Sequence, residues 1–475
     1  MNYEILIVFL FAFIQAIVST GLSILLALPL AHFFYKFEFY GRKFFIALAL
    51  IFCIIPTKLA AICISIFYGN SFAMGFTGII LAHLMLNIAF AFYIINLTYQ
   101  KFDLTLLWLA SEAGAKGWRC YIDIIFPLIK PTVISIFFLL FLLHFASFSI
   151  PIILGSSITH TTPEIYLYNC YFSGENLSVL IVWALRLLVI LLVFFLNNKF
   201  YIKELSFSSS QSIVKREKLS LNNGLLYFIY CVFILIITVG PLIALILKAC
   251  DKKVLAFILS VFSYSCDPVL GICVSRVILN SIVLAFASSI GTVFVAIFIC
   301  FFELKLRTKI FKNIFGLITV LPFIIGSVGV GIIFSYLHYC KLFLVFFTGF
   351  LAHVFLNYAF AYRIIRAQVI LYHKDLTKSA QALGASYKKA VITVAIPFVF
   401  PAFIRAFCMS FGLSLTEVGA GAILNGKIGL TIPMAIKIYR QAGCHEAVLG
   451  LSLILLSLAF LVTYFLSGID ENQKK

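Results

Sequence analysis

Leu106–Pro131 reads LLWLASEAGAKGWRCYIDIIFPLIKP, and Leu376–Pro401 reads LTKSAQALGASYKKAVITVAIPFVFP. The two stretches lie 270 positions apart, and one register aligns Ala110 with Ala380, Gly114 with Gly384, Ala115 with Ala385, Pro127 with Pro397 and Pro131 with Pro401. The register extends upstream, where Leu81-Ala82-His83 and Asn87 meet Leu351-Ala352-His353 and Asn357. Downstream, Thr161 and Pro163 meet Thr431 and Pro433. Self-similarity at one fixed offset over this length is the mark of a duplicated structural unit. Each copy is polar and basic, and long apolar runs flank it.

Those runs set the class. Of 475 residues, 63% are hydrophobic and 11% charged, and the mean hydropathy is +1.14. Such a composition belongs to a polytopic membrane protein, because no water-soluble domain can hide so much apolar surface. Spans of the ~20 residues a bilayer needs are expected at about 5–34, 44–68, 75–98, 131–153, 177–197, 225–248, 277–302, 313–336, 343–365, 400–424 and 447–468. The expected fold is all-α, with about eleven transmembrane helices in two parallel repeats. Residues 1–200 form the first repeat and 276–475 the second. Between them, 201–275 hold a polar linker with SSSQS and KREK, a connecting span and an outside segment.

The formal net charge of +18 is spread over loops between spans. Roughly 24 Lys and Arg fall in the segments around 36–43, 99–130, 198–220, 303–313, 363–398 and the C-terminal tail, against roughly 8 in the alternating segments. This asymmetry puts both duplicated loops and the C-terminus in the cytoplasm and the N-terminus outside. It also argues against nucleic acid as a partner, since a nucleic-acid footprint clusters its charge. Five spans leave the chain in the cytoplasm, so a second copy in the same orientation requires one extra crossing, which 225–248 supplies. The N-terminus lacks a basic leader and a cleavage motif, so Met1 onward reads as the first span.

The duplicated loops resemble the "EAA" loop of type-I ABC importer permeases, roughly E-A-A-x-x-x-G with I-x-x-P about a dozen residues later. The likeness covers nearly the whole chain. It implies that each loop folds as two short helices, with Gly114 or Gly384 at the turn between them, where φ > 0 carries no Cβ clash. It implies that Pro127 and Pro397 open the next membrane helix. In the family this loop docks into the ATP-hydrolysing subunit, so the implied partners are two ABC ATPase subunits and, outside, a periplasmic solute-binding protein. The resemblance departs at the glutamate position, which holds Trp108 and Lys378. Gly78-Ile79-Ile80-Leu81-Ala82-His83 with Asn87, Phe145-Ala146-Ser147-Phe148, Thr161-Thr162 with Ile165-Tyr166, and Leu351-Ala352-His353 with Asn357 are similar to thiamine-importer permeases. Ferric-iron importer permeases share the fused two-repeat architecture. Permeases of this kind often carry a further N-terminal span; this chain begins where the second repeat begins, so that span is expected to be absent or the start codon mis-assigned.

Candidate path residues are His83, Asn87, His353 and Asn357, i, i+4 pairs on one face of the third span of each half. Such pairs either line a path or hydrogen-bond between helices. His144, Arg186 and Arg405 are ionisable groups in spans, where a charge needs a cavity or a partner. Glu417 lies in the outer half of the tenth span, with Ser147 at the matching place in the first half, and the resemblance implies that this stretch lines the path. A cationic solute and a neighbouring basic side chain are both open as partners of Glu417.

Gly421-AILN-Gly426-Lys427 has phosphate-loop spacing, but Ile428 stands where Mg²⁺ binding requires a hydroxyl, and no strand precedes it. The chain is therefore expected not to hydrolyse ATP and to be no enzyme. No catalytic triad, metal-ligand set or cofactor motif is apparent. Cys250, Cys266 and Cys273 share the outside segment, where a disulfide is possible. A rival class, an ion-coupled secondary transporter, also uses parallel repeats but gives no reason to duplicate a basic cytoplasmic loop.

Overall fold

In a computed structural model the described residues are 2–52, 55–99, 114, 118–155, 160–201, 217–218, 221–261, 266, 270–305, 321–339, 345–371, 374–424 and 429–472. Among the described residues the fold is all-α apart from one two-residue parallel strand pair, Phe37–Glu38 with Glu217–Lys218. Lipid offers the backbone no hydrogen bonds, so a span must satisfy its own, which a helix does. Helices occur at all eleven expected places. Among the described residues six are long and apolar enough to cross a membrane, or seven if the bent pair Tyr227–Thr238 and Gly240–Ala249 is one span; the bend between its members is 47°.

The helices pack into two compact units, Met1–Lys248 and Ala249–Lys475. In unit 1, Asn2–Lys36 packs on Phe76–Tyr99 and on Phe126–Phe145. In unit 2, Val274–Lys305 packs on Val345–Leu371 and on Ile396–Thr416. Small and hydroxylated residues permit the close approach. Ser19, Thr20 and Ser23 are buried in the first helix, and Ser288, Ser289 and Thr292 in its counterpart. Ser23 and Thr292 return their hydroxyls to the carbonyls four residues earlier. That satisfies the hydroxyl without a partner helix.

Three boundaries differ from the sequence expectation. The span at 44–68 is two helices, Arg42–Phe52 and Thr57–Tyr68. Pro56 heads the second, because it has no N–H to extend the first and restricts the residue before it. The span at 131–153 ends at Phe145 and resumes as Pro151–Leu154. The span at 400–424 ends at Thr416 and resumes as Gly419–Leu424. Both copies thus break the helix that follows the duplicated loop, and the two helix ends lie within one residue of the same register position. Outside the spans, Cys266 pairs with Cys273, while Cys250 is free and exposed.

Candidate functional site

The second loop is described from Lys374. Helix Lys374–Ala382 ends at Gly384, whose φ is +92°. Gly384 N–H donates to Gln381 O at 2.9 Å and Ala385 N–H to Ala380 O at 3.1 Å. This is a Schellman end, which needs a left-handed residue at that one position. Ser386 then caps the next helix, Tyr387–Ala390, its Oγ accepting from Lys389 N–H. A basic, polar loop therefore folds as helix, glycine turn, helix. Leu383 is 89% and Tyr387 67% exposed beside the turn. Lys378 is exposed as well, and Ala380 and Ala385 are half-buried.

In the first loop Gly114 has φ +83°, while Trp108, Ala110 and Ala115 lie outside the described residues. A Cβ built on Gly114 or Gly384 has nothing within 4 Å. The space over both turns is open, and only the backbone conformation demands glycine.

Pro127 and Pro397 stand, exposed, in the first turn of the α-helices Phe126–Phe145 and Ile396–Thr416, and each of these helices continues the short helical stretch before it without a break. Each is preceded by one π turn, Tyr121–Ile125 and Val391–Ala395, in which Phe126 N–H reaches Tyr121 O and Ile396 N–H reaches Val391 O. A proline ring collides with the carbonyl four residues back in an α-helix. Widening the preceding turn moves that carbonyl aside, so the helix passes the proline without ending. π turns of this kind concentrate at functional positions, and both copies place theirs between loop and span.

The histidines and asparagines of the third spans turn inward to their own units. Asn87 Nδ2 donates to His144 Nε2 at 2.8 Å and to His83 O at 3.0 Å. The proton of His144 is then on Nδ1, 2.9 Å from Thr20 Oγ1. The His83 and His144 rings lie 4.2 Å apart. Gln15 Nε2 donates to His144 O at 2.7 Å. In unit 2 His353 Nδ1 meets Ser414 Oγ, and Ser414 meets Ser288 Oγ at 2.9 Å. Ser414 occupies the register position of His144. Both units thus tie third span, fourth span and first helix together at one level. His83, His353 and Asn357 are buried and Asn87 half-buried.

At the helix breaks, Glu417 Oε1 accepts from Ala420 N–H at 3.1 Å and caps the short helix Gly419–Leu424. Ser147 O accepts from Thr162 Oγ1 at 2.8 Å. Arg405 Nη2 donates to Gln368 Oε1 at 3.4 Å. Gly421 lies in that short helix and no strand leads into it, while Gly426 and Lys427 lie outside the described residues.

Two ion pairs join residues that the sequence did not match with each other. Arg186, inside the helix Asn176–Tyr201, pairs with Glu164 at the start of Pro163–Ser173, and both side chains are fully buried. Arg366 holds Glu303 through Nε and Nη2 at 2.8 Å, and Tyr362 donates to the same carboxylate at 2.6 Å. An acidic residue in the first turn of a loop helix is the signal for the first pair. A spacing of 63 residues hides the second.

Residues 304–475 match the family described as "binding-protein-dependent transport system inner membrane component". The thiamine transport system permease protein of Haemophilus influenzae is 27% identical over 221 residues, 43% of this chain and 41% of that protein. A putative ferric transport system permease protein of the same organism is 25% identical over 169 residues, 34% of this chain and 26% of that one. The putrescine transport system permease protein of Escherichia coli is 24% identical over 130 residues, 27% of this chain and 46% of that one. The matches therefore span less than half the length of each of these relatives. The second half of the chain is thus similar to inner membrane components of binding-protein-dependent transport systems.

Proposed function

We propose that the chain is the transmembrane subunit of an ABC importer that carries a small solute inward by alternating access. The observation that carries this reading is the Gly384 turn. A short helix, a glycine at φ +92° with open space above it, and exposed Leu383 and Tyr387 form a docking knob on a loop present twice in the sequence. Two ATPase subunits engage the two loops and drive the reorientation of the repeats. ATP hydrolysis belongs to those subunits. A solute-binding protein docks on the opposite side, near Thr161–Glu164 and Thr431–Pro433. The chain is multi-pass in the cell inner membrane, with its N-terminus outside and its C-terminus cytoplasmic.

The proposed solute is thiamine or its phosphates, supported by the motifs shared with thiamine permeases and by the identity quoted above. Ferric iron is the second reading, supported by the ferric relative. The test is uptake of labelled thiamine at nanomolar concentration by cells with and without the gene. Loss of high-affinity thiamine uptake on deletion, restored by the intact gene, is the expected result. Unchanged thiamine uptake with impaired ferric-iron uptake selects the second reading. If both survive deletion, the substrate assignment is wrong.

A further inference from the structure

In unit 2 the stem of the second loop is tied to two neighbouring helices. Val345–Leu371 runs into the loop helix Lys374–Ala382, and Arg366 stands near its end. Glu303 stands in the last turn of Val274–Lys305. Arg366 grips that carboxylate with two donors, Nε on Oε2 and Nη2 on Oε1, both at 2.8 Å. Tyr362, one turn back on the face of Arg366, donates to it as well at 2.6 Å. A planar fork on a carboxylate fixes direction as well as distance. Gln368 joins the helix entering the loop to the helix leaving it. Its Nε2 donates to Phe398 O at 3.3 Å, and its Oε1 accepts from Arg405 Nη2 at 3.4 Å. Tyr362 also belongs to an apolar cluster with Ala296, Cys300, Ala361, Ile365 and Ala406, which packs the three helices together.

The same place in unit 1 is built otherwise. Ser19-Thr20 and Ser23 match Ser288-Ser289 and Thr292, and this alignment places Phe34 opposite Glu303. The repeat register places Phe92 opposite Tyr362, Asn96 opposite Arg366 and Thr98 opposite Gln368. The Phe34 and Phe92 rings meet edge to face at 4.8 Å. Asn96 is buried, and neither polar atom of its amide has a partner among the described residues. Thr98 Oγ1 lies 3.3 Å from Thr132 Oγ1 on the helix that leaves the first loop. Rings and short hydroxyls therefore suffice to pack these helices in one copy. A partly buried ion pair is seldom a more stable solution than an apolar one, so packing alone gives no reason for the fork in the other.

What the fork adds is direction, since apolar contact is non-directional. It adds it where the chain enters the loop. We infer that Glu303, Arg366, Tyr362 and Gln368 are positioning residues of the second loop. They make its stem a rigid lever, so that a displacement of Lys374–Ala382 moves Val274–Lys305, Val345–Leu371 and Ile396–Thr416 together. The inference rests on the reading that an ATPase subunit engages this loop. It makes the two loops unequal, with the second the stiffer.

The test compares the full-length chain in nanodiscs with the double variant Glu303→Leu, Arg366→Met, which fills the space and leaves no unpaired charge. Amide hydrogen exchange reads local opening. Exchange over 374–390 should become several-fold faster, while 445–462 keeps its native rate. Arg366→Lys, which keeps the charge and loses the fork, should fall between the two. Tyr362→Phe should shift the same segment in the same direction by less. These two single variants decide the matter if the double variant does not fold. With the ATPase subunit and the binding protein added, labelled thiamine taken up per ATP hydrolysed should fall several-fold in the double variant and recover in part with Arg366→Lys. Native exchange over 374–390, or a rise spread evenly over the chain, overturns the lever. Faster exchange there with unchanged uptake per ATP overturns its part in coupling. An ATPase subunit that does not co-purify with the unaltered chain refutes the docking reading instead, and an unaltered complex that hydrolyses ATP without taking up thiamine refutes the solute. In both cases the exchange measurement still decides the lever.

Discussion

Gly384 shows how far one residue carries the coupling assignment. Its φ of +92° costs a β-branched side chain about 1–3 kcal/mol, yet a Cβ there touches nothing in the chain. The undocked loop can relax away from that cost, but the docked loop cannot. Gly384→Val should therefore reach the membrane at normal abundance and bind the ATPase subunit about thirtyfold more weakly, the equivalent of about 2 kcal/mol. Gly384→Asn should lose much less, since Asn tolerates the left-handed region. Gly114→Val should act in the same direction. Co-purification of the ATPase with each variant, together with solute uptake, is the measurement. Full retention of both in the two Val variants would make these glycines ordinary turns. The need for glycine is legible in the sequence, because a Gly-Ala pair recurs at one register in two basic loops. The exposure of Leu383 and Tyr387 is not legible, since apolar residues in a membrane protein carry no sign of which way they face.

At the scale of elements, the buried pair of Arg186 and Glu164 differs between the repeats. In the repeat register Glu164 corresponds to Met434 and Arg186 to Leu456, and both are buried. The second copy thus already carries the apolar solution to the same packing problem. A buried ion pair is seldom more stable than a well-packed apolar one, but breaking it from one side costs about 3–5 kcal/mol. Glu164→Met alone should lower the melting temperature of the detergent-purified protein and its abundance in the membrane. The double variant with Arg186→Leu should recover most of that loss, a non-additivity that a double-mutant cycle reads directly. If the double variant melts no higher than the lower single variant, the two side chains do not act as a pair. The element pattern itself was largely readable: apolar runs near span length mark eleven helical places. The interruptions were not. Pro56 splits one expected span because its missing N–H is a local fact. The breaks after Phe145 and Thr416 fall within stretches whose mean hydropathy still reads as one span, even though Glu417 stands at the second. The π turns before Pro127 and Pro397 likewise leave no compositional trace.

For the whole molecule the outstanding quantity is orientation, and charge carries it. Lipid-facing helices fit either direction equally well, so packing within each unit is silent about which end faces the cytoplasm. Lys and Arg beside the spans resist translocation, and the duplicated loops and the KREK linker all belong to the Lys- and Arg-rich set of segments. The bent pair Tyr227–Thr238 and Gly240–Ala249 adds the crossing that a parallel second repeat requires. Without that crossing the two loops would face opposite sides of the membrane, and a single pool of ATPase subunits could not engage both. A reporter active only in the cytoplasm should therefore be active when fused after Lys218 and silent when inserted near Ser157. A reporter that works only after export should show the reverse. Fusion after Lys378 should match Lys218, because both positions belong to the cytoplasmic set. An exported signal at Lys218 would invert every assignment of loop to partner. A cytoplasmic signal at Lys218 with an exported one at Lys378 would mean that the bent pair does not cross, and that the repeats run antiparallel.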